Sequence, residues 1–313
     1  MNKLTYLIPV FNAINTLGET YQSLKNQTYK NFSILFVDDG SQDKSLDLLE
    51  KIEKSDNRVS IIRNKHQGLV KTLNDGLLHI NSDWIIRLDS DDLAYPTRTE
   101  YIVKTINKIP PNTALITSDA ELINEKGDFQ SIIKINPYLA KYFLFTGINP
   151  FFHSSVAINK SLIGNNILYR ERFKHAEDYD MWIRLLSKYK FKHISKPLIK
   201  YRIHQNQVTK NYPYETIKNK YLSLQETSRN YPSGGLFYLF KNLSLLLIKI
   251  TRKIELKIAQ RTVFCNKSIS NSFKILEIIV FKIILKLFKF IMFPLNLLFI
   301  NKVHRLLNTV SKN

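Results

Sequence analysis

The densest group of acidic side chains in the sequence is Asp89-Ser90-Asp91-Asp92, which directly follows the apolar run 84–88. Carboxylates two residues apart on an extended turn can point at one position, and such hard oxygen ligands suit Mg²⁺ or Mn²⁺ bridging to phosphates. An isolated turn of this composition is also typical of a solvated helix cap. The acidic turn 89–92 therefore predicts a divalent-metal site for a phosphorylated ligand, with helix capping as the alternative.

Two other acidic pairs stand at the borders of apolar segments. Asp38 and Asp39 follow the run 33–37, and Glu177 and Asp178 precede an amphipathic stretch. Adjacent carboxylates at a helix start disfavour double ionisation, which raises at least one pKa, while the helix dipole acts in the opposite direction. Chemistry alone leaves open which of Glu177 and Asp178 could serve as a general base, and a plain helix N-cap is the competing interpretation.

Arg202 and His204 lie two residues apart in the stretch YRIH, so on a strand both side chains share one face. A neutral imidazole can complete the ligand shell of Mn²⁺, and a guanidinium can neutralise a departing diphosphate. The competing interpretation is that both residues are structural.

Apolar runs and helical spacings alternate along the first third of the chain. Strands are expected at 4–10, 33–37, 59–62 and 84–88, and helices at 15–28, 43–54 and 68–80. This alternation predicts an α/β fold with a mostly parallel sheet and helices on both faces. Ligands of such sheets bind beyond the carboxyl ends of the strands, where this sequence concentrates its acids.

The remaining elements are less regular in the sequence. We expect a helix at 97–108, a strand at 115–118, a hairpin around 125–127, a strand at 153–158, a helix at 178–190, and two short strands around Pro197 within 189–203. The composition changes after Gly235. We therefore predict a catalytic domain at 1–235 and a helical, basic, membrane-associating segment at 236–313.

Six stretches occur in an order that resembles the family 2 glycosyltransferases of the GT-A fold. They are IPVFN (8–12), VDDGS (37–41), GLVKTLNDGL (68–77), RLDSDD (87–92) with Pro96 and Arg98 after it, HAEDYDMWIRL (175–185) and YRIH (201–204). The resemblance covers roughly residues 4–205. It implies a Rossmann-like catalytic domain that takes a sugar from a nucleotide-sugar donor.

The resemblance also implies roles for the donor-side residues. Asp39 corresponds to the residue that reads a uracil-type base, and the loop of Pro9, Val10 and Phe11 lines the same pocket. Asp89 corresponds to the residue that faces the ribose. Asp38, the neighbour of Asp39, is expected to act as a cap.

The metal and catalytic roles follow from the same comparison of motifs. Asp91 corresponds to the direct metal ligand, His204 to a further metal or diphosphate ligand, and Arg202 to a diphosphate contact. Asp178 corresponds to the general base that takes the proton from the acceptor hydroxyl. Asp92 is expected in a supporting or capping role. Three more residues are expected near the sugar and acceptor, with core packing as the alternative: His153, Ser154 and Trp182.

Together these expectations describe an inverting glycosyltransferase with a divalent metal cofactor, Mn²⁺ or Mg²⁺. A nucleotidyltransferase is one alternative, but it would need a glycine-rich basic loop after the first strand, and IPVFNAINT offers none. A non-enzymatic membrane- or nucleic-acid-binding protein is the other. The sequence contains no G-x-G-x-x-G, Walker A or Ser-His-Asp signature and no metal-binding cysteine set.

The charge of the chain favours an anionic partner. The net charge is +20, and 236–313 contribute about +12 of it through fourteen Lys or Arg against two acids. The stretch 278–300 holds eighteen apolar residues out of twenty-three, but Lys282, Lys286 and Lys289 make insertion across a bilayer marginal. Their spacing predicts a helix lying in the headgroup plane of an anionic membrane, with packing on the catalytic domain as the alternative.

Location follows from the same features. A single cysteine, Cys265, fits a reducing compartment, and the N-terminal stretch does not read as a secretion signal. We therefore expect a peripheral protein on the cytoplasmic side of the cell membrane. Its acceptor is expected to be a glycan or a lipid-linked hydroxyl, and nucleic acid is not expected as a partner.

Overall fold

The computed structural model describes residues 2–145, 147–204 and 213–230. Its first half alternates strands and helices: β1 (Leu4–Val10), α1 (Ile14–Lys25), β2 (Ser33–Asp38), α2 (Ser45–Ser55), β3 (Val59–Arg63), α3 (Leu69–His79), β4 (Trp84–Arg87), β5 (Leu93–Ala94) and α4 (Arg98–Ile106). The strands and helices predicted up to residue 108 are all present, with ends within a few residues of the expected ones.

The second half of the described chain has longer strands and shorter helices. Its elements are β6 (Thr113–Ile123), β7 (Phe129–Ile133), α5 (Pro137–Leu144), β8 (Ala157–Asn159), α6 (Lys160–Ile163), α7 (Glu177–Lys188), β9 (Lys190–Arg202) and α8 (Pro213–Asn230). The predicted hairpin is confirmed, because β6 and β7 pair in antiparallel fashion across the turn at Gly127.

The strands form one sheet in the order β3-β2-β1-β4-β8-β6-β9-β5, with β7 paired to β6. Strands β1 to β4 are parallel, as predicted, while β8 runs antiparallel to both β4 and β6. The sheet is therefore parallel in its first half and mixed in its second. Because β2 and β4 flank β1, the residues that follow them leave the same edge about 10 Å apart, two interstrand spacings.

Helices cover both faces of the parallel half. Tyr6 and Ile8 of β1 belong to the core cluster that also contains Leu17 of α1 and Leu49 of α2. Leu7, between them in sequence, points to the opposite face. There α3 packs so closely that a Cβ at Gly76 would lie 2.3 Å from Leu7 Cδ1 and 3.0 Å from Val37 Cγ2. Side chains of successive residues in β1 are thus buried on both sides of the sheet.

Two predicted strand assignments are wrong. The stretch 153–158 begins as a 3-10 turn, His153–Ser155, and only Ala157–Asn159 pair as a strand, because Ser155 N donates to Phe152 O (2.9 Å). The two short strands around Pro197 are one continuous strand, β9. The pairing of β9 with β6 shifts register around the Asp119–Pro197 pair, and this irregularity accommodates a residue without an N–H.

The predicted boundary at Gly235 and the basic segment 236–313 lie outside the described residues and stay predictions. Within the described part of the chain, no helix is both long enough and apolar enough to cross a membrane.

Candidate active site

The acidic turn 89–92 follows β4 at the carboxyl edge of the sheet and is held there by α1. Thr16 Oγ1 and Thr20 Oγ1 each lie 2.9 Å from the carbonyl oxygen of Ser90. Thr20 Oγ1 is equally close to the carbonyl oxygen of Asp92. Hydroxyls on successive turns of one helix therefore fix the backbone of the turn and leave its carboxylates free to face other groups.

Three buried arginines surround the acidic turn. Arg87 pairs with Asp89 Oδ1, and Arg98 Nη2 donates to the carbonyl oxygens of Arg87 (2.9 Å) and Ser154 (2.6 Å). Arg202 donates from its backbone N to Asp92 Oδ1 (2.8 Å) and from Nε to the carbonyl of Asp91 (2.9 Å). Buried cations next to three carboxylates offset the repulsion that the carboxylates would otherwise exert on one another.

The structure places Arg202 behind the acidic turn and gives its guanidinium several protein acceptors. Besides Asp91, it donates to the carbonyl of Glu125 (2.9 Å) and to Glu19 Oε2 (2.6 Å), and the residue is 3% exposed. In this arrangement Arg202 supports the turn, while the diphosphate contact implied by the resemblance stays a prediction.

Asp91 and His204 come together at the open side of the turn, with His204 Nε2 2.8 Å from Asp91 Oδ2. Both side chains remain partly accessible, at 33% and 26%. The described residues contain no group of three or more His, Cys, Asp or Glu side chains that could hold a cation by themselves. A carboxylate and an imidazole fit a hard divalent ion whose remaining ligands are phosphate oxygens and water.

Asp92 is the buried member of the turn. Burial and the charges of Asp91 and Asp89 raise the pKa of Asp92 well above its usual value. Asp92 Oδ1 accepts from the backbone N of Arg202, and Oδ2 has no hydrogen-bond partner among the described residues. Its position agrees with the supporting role expected from the sequence.

Asp89 is positioned by two groups. Ser154 Oγ donates to Asp89 Oδ2 (2.8 Å) and accepts from the Asp89 backbone N (3.0 Å), while Arg87 holds the other oxygen. Burial alone would raise the pKa of Asp89, but Arg87, together with the Ser154 hydrogen bond, lowers it below the usual value. Asp89 is therefore kept as a carboxylate with a fixed orientation.

A buried polar chain extends from Arg87 toward α7. Arg87 Nε donates to His153 Nε2 (3.3 Å), and that nitrogen is also 2.6 Å from the hydroxyl of Tyr169. Burial, with Arg87 nearby, lowers the pKa of His153 to about 3, so the imidazole is neutral at physiological pH. Trp182 packs edge-on against His153 at 5.8 Å and is fully buried. His153 thus contacts the arginine that holds Asp89, and Trp182 packs behind His153 in the protein interior.

The second acidic pair splits into two structural roles. Asp38 Oδ2 accepts from the backbone N of Gly40 and of Ser41, both at 3.1 Å, which is the capping role expected. Asp39 Oδ1 accepts from Gln67 N (2.9 Å) and Asp39 Oδ2 from Gly68 N (3.0 Å). Asp39 therefore anchors the loop between β3 and α3 at the carboxyl edge of the sheet.

The predicted base loop combines two buried residues with one exposed aromatic side chain. Pro9 and Val10 belong to β1, and Val10 is 1% exposed, whereas Phe11 is 43% exposed. The Phe11 ring is stacked on the ring of His66, with centroids 4.2 Å apart and an interplanar angle of 23°. Among the three, Phe11 is the residue whose side chain is exposed at this edge, and the contact of this loop with a base stays a prediction.

Glu177 and Asp178 form the first turn of α7 and differ in accessibility. Glu177 is buried, while Asp178 is half-buried and accepts from Asn149 Nδ2 (2.7 Å) and from Tyr179 N (2.6 Å). Burial raises the pKa of both groups, that of Glu177 to about 7. The charge of Asp89 contributes to both shifts, so the acidic turn and the start of α7 share one electrostatic neighbourhood.

The helix that carries Asp178 is fixed by a buried ion network. Asp180 is fully buried and accepts from Arg170 Nε (2.9 Å) and Nη2 (2.5 Å), and from Arg184 Nε (3.1 Å). Ser223 Oγ of α8 donates to the same carboxylate at 2.6 Å. This network ties α7 to α8 and orients the first turn of α7.

Glu177 makes the stability of the protein depend on pH. Its pKa rises from 4.5 to about 7 on folding, so the folded state binds the proton more tightly. The resulting stabilisation is complete below about pH 4.5 and is lost as the pH rises through about 7. Relative to Glu177→Gln, we expect the free energy of unfolding of the wild type to fall by on the order of 3 kcal/mol across this window.

Urea unfolding of the wild type and of Glu177→Gln between pH 4 and pH 8 measures this difference. Titrating groups that do not interact with Glu177 are common to both proteins and cancel in the comparison. Parallel stability curves for the two proteins would contradict the assignment of the buried proton to Glu177.

Several site residues have no distinctive sequence signal. Arg87 lies in the motif RLDSDD and Arg98 follows that motif, but nothing in their spacing shows that their guanidinium groups lie behind the acidic turn. The sequence around His66, Asn149 and Tyr169 does not mark these residues as functional. A buried arginine within an apolar strand, as in WIIRL, is the one local pattern that points to an ion partner.

Comparison with known proteins places these features in a family. The profile described as Glycosyl transferase family 2 matches residues 5–165, which include the acidic turn and Asp39. An uncharacterized glycosyltransferase from Haemophilus influenzae is 30% identical over 225 residues, 68% of this chain and 69% of that protein. Another from Methanocaldococcus jannaschii is 28% identical over 256 residues, 77% of this chain and 87% of that protein.

Solved structures share the fold. S. aureus TarS 1-349 in complex with UDP-GlcNAc has a TM-score of 0.64 at 19% identity, covering 85% of this chain and 76% of that one. The mannosyltransferase PcManGT of Pyrobaculum calidifontis, in complex with GDP-Man and Mn²⁺, has a TM-score of 0.62 at 12% identity, covering 87% and 78%. The predicted GT-A fold is thereby confirmed.

The family profile spans the whole parallel half of the sheet and its acidic turn, and relatives named as glycosyltransferases cover two thirds of the chain or more. This chain is a glycosyltransferase and belongs to glycosyltransferase family 2.

Proposed function

We propose that this glycosyltransferase transfers a sugar from a nucleoside-diphosphate sugar to an acceptor hydroxyl, with inversion at the anomeric carbon. The preferred donor in this proposal is a UDP-sugar. The observation that carries the proposal is the pairing of Asp91 with His204 on the open side of the acidic turn, whose Asp89 contributes to the raised pKa of Asp178. S. aureus TarS, whose structures contain UDP and UDP-GlcNAc, supports the choice of uridine.

The divalent ion, Mn²⁺ or Mg²⁺, would be held by Asp91 and His204. When bound, it would supply positive charge that stabilises the departing diphosphate. Mn²⁺ in the complex of the P. calidifontis mannosyltransferase supports this part of the proposal. Asp89 would orient the ribose, because its carboxylate is fixed by Arg87 and Ser154.

Asp178 would act as the general base. Its Oδ2 is positioned by Asn149, and burial raises its pKa toward the range in which a carboxylate accepts a proton from a hydroxyl effectively. A base on the acceptor side and a leaving group on the opposite side of the sugar favour a single in-line displacement, which inverts the anomeric centre.

We further propose that the acceptor is built on a lipid carrier in the assembly of a surface polysaccharide, and that the protein works at the cytoplasmic face of the membrane. The fourteen basic residues of 236–313 support this location. In flotation assays we expect the full chain to rise with vesicles containing anionic lipid and to stay behind with neutral phosphatidylcholine vesicles. Equal behaviour with both would contradict the membrane proposal.

A donor screen tests the transfer reaction. UDP-, GDP- and dTDP-sugars are incubated with the full chain and Mn²⁺, and release of the nucleoside diphosphate is followed with and without chelator. We expect release from a UDP-sugar that stops when the ion is removed. Release of pyrophosphate from a nucleoside triphosphate and a sugar 1-phosphate, with no diphosphate release from any nucleotide-sugar, would indicate a nucleotidyltransferase. Binding of nucleotide with turnover of neither kind would indicate a non-enzymatic protein.

A further inference from the structure

The Phe11–His66 stack stands beside Asp39, where the family resemblance implies the pocket for the nucleotide base. The two rings lie at the carboxyl ends of β1 and β3, on either side of Asp39, and their centroids are 4.2 Å apart with an angle of 23°. The His66 side chain is 59% exposed and Phe11 43%. Two aromatic rings stacked in contact with solvent beside a buried carboxylate form a ready surface for a flat heterocycle.

His66 already makes the contacts that a base would make. Its Nδ1 lies 2.9 Å from Asp39 Oδ2 and 3.3 Å from the carbonyl oxygen of Asp39. A uracil seated here would likewise lay a flat ring on Phe11 and donate an imide N–H to Asp39. The spacing of the two rings leaves no room for a third ring between them, so the imidazole and a base compete for the same face of Phe11.

The backbone around His66 is held by hydrogen bonds, whereas its side chain is 59% exposed. Gln67 N and Gly68 N are both held by the Asp39 carboxylate, and Asn64 N donates to the carbonyl of Asp38 (2.9 Å). A Cβ at Gly40 would lie only 2.7 Å from His66 N, so the two loops are in direct contact. A rotation about the side-chain bonds of His66 would turn the ring toward solvent and would leave these backbone contacts in place.

We propose that His66 belongs to the nucleotide-binding site and acts as an internal substitute for the base, which its ring must vacate when a nucleoside diphosphate binds. This inference rests on the proposed function, because it assumes that the Phe11–Asp39 corner accepts a base. The measured affinity of the wild type for nucleotide is then the affinity of the vacated form multiplied by the fraction of molecules that are in that form.

Calorimetric titration of UDP and of GDP into the full chain tests the proposal. We expect His66→Ala to bind UDP about three- to tenfold more tightly than the wild type, because the competing ring is removed. His66→Asn, which also lacks the ring, is expected to show the same change. His79→Ala is the matched control, since His79 is an exposed histidine at the end of α3, and it should leave the affinity unchanged.

The alternative positions of the base give different results. If the base stacks on the outer face of His66, both His66 variants bind UDP more weakly, and the proposal is overturned; unchanged affinity overturns it as well. Phe11→Ala should weaken UDP binding about tenfold or more in either arrangement. If neither nucleotide binds the wild type at all, the proposed function fails together with this inference.

The imidazole proton signals of His66, assigned by their loss in His66→Ala, provide a second readout. Stacking on Phe11 shifts these signals upfield, and we expect UDP to return them toward the values of a free histidine. A further upfield shift on adding UDP would show the base stacked on His66 and would contradict the proposal.

Discussion

Asp178→Asn is expected to lower kcat by about 10²- to 10⁴-fold, the usual contribution of a positioned general base. Asparagine has nearly the same shape, and its carbonyl oxygen can still accept from Tyr179 N, while its NH₂ group replaces the oxygen that accepts from Asn149. The substitution removes the capacity to take a proton with little change of shape. Steady-state assays of nucleotide release should therefore show a low kcat, and calorimetry should show donor binding close to that of the wild type.

Glu177→Gln is the matched comparison, because Glu177 is the adjacent residue in the same helix turn. Glu177 is 8% exposed, so an acceptor hydroxyl reaches Asp178 more readily. We expect the glutamine variant to keep its kcat within about tenfold of the wild type. A large loss in Glu177→Gln with an active Asp178→Asn would assign the base to Glu177 and contradict the account.

Asp91→Asn is the second change with a large expected effect, a loss of about 10²- to 10³-fold in kcat. Asparagine can occupy the same space next to His204 but does not supply the negative charge that a divalent ion requires. The measurement is nucleotide release over a range of Mn²⁺ and Mg²⁺ concentrations. The residual activity of the variant should no longer respond to the ion or to chelator.

Asp47→Asn makes the same chemical change at an exposed position in the first turn of α2 and serves as the control. It should match the wild type in rate and in response to the ion. If Asp91→Asn turned over like Asp47→Asn, Asp91 would be a helix-capping acid, the alternative that its sequence context also allows.

The parallel half of the fold could be predicted because its signals are local. Each strand from β1 to β4 is a short apolar run closed by polar residues, and each helix repeats apolar residues at helical spacing, so position and type follow from neighbours in sequence. The second half depends on distant partners. Ser154 enters a 3-10 turn and bonds to Asp89, and Pro197 sits inside β9 because the register with β6 shifts at Asp119.

The candidate site divides in the same way. The acidic residues could be recognised in the sequence because several carboxylates in a row at the end of an apolar strand are uncommon. The topology of the sheet then brings these residues together, because β2 and β4 lie on either side of β1. The groups that orient them come from far along the chain: Arg202 reaches Asp92 from 110 residues away. Such contacts leave no local pattern in the sequence, so the structural role of Arg202 and the stacking of His66 on Phe11 are seen only in the folded chain.

The central claim is that Asp91 binds a divalent ion together with the diphosphate of the nucleotide. Electron paramagnetic resonance of Mn²⁺ tests it, with the full chain, UDP, and the variants Asp91→Asn and Asp47→Asn. We predict that the wild type and Asp47→Asn immobilise the ion when UDP is present and remove the sharp signal of hydrated Mn²⁺. With Asp91→Asn, the spectrum should be the same as that of Mn²⁺ and UDP in the absence of protein. Immobilisation of the ion by Asp91→Asn to the same extent as by the wild type would contradict the account.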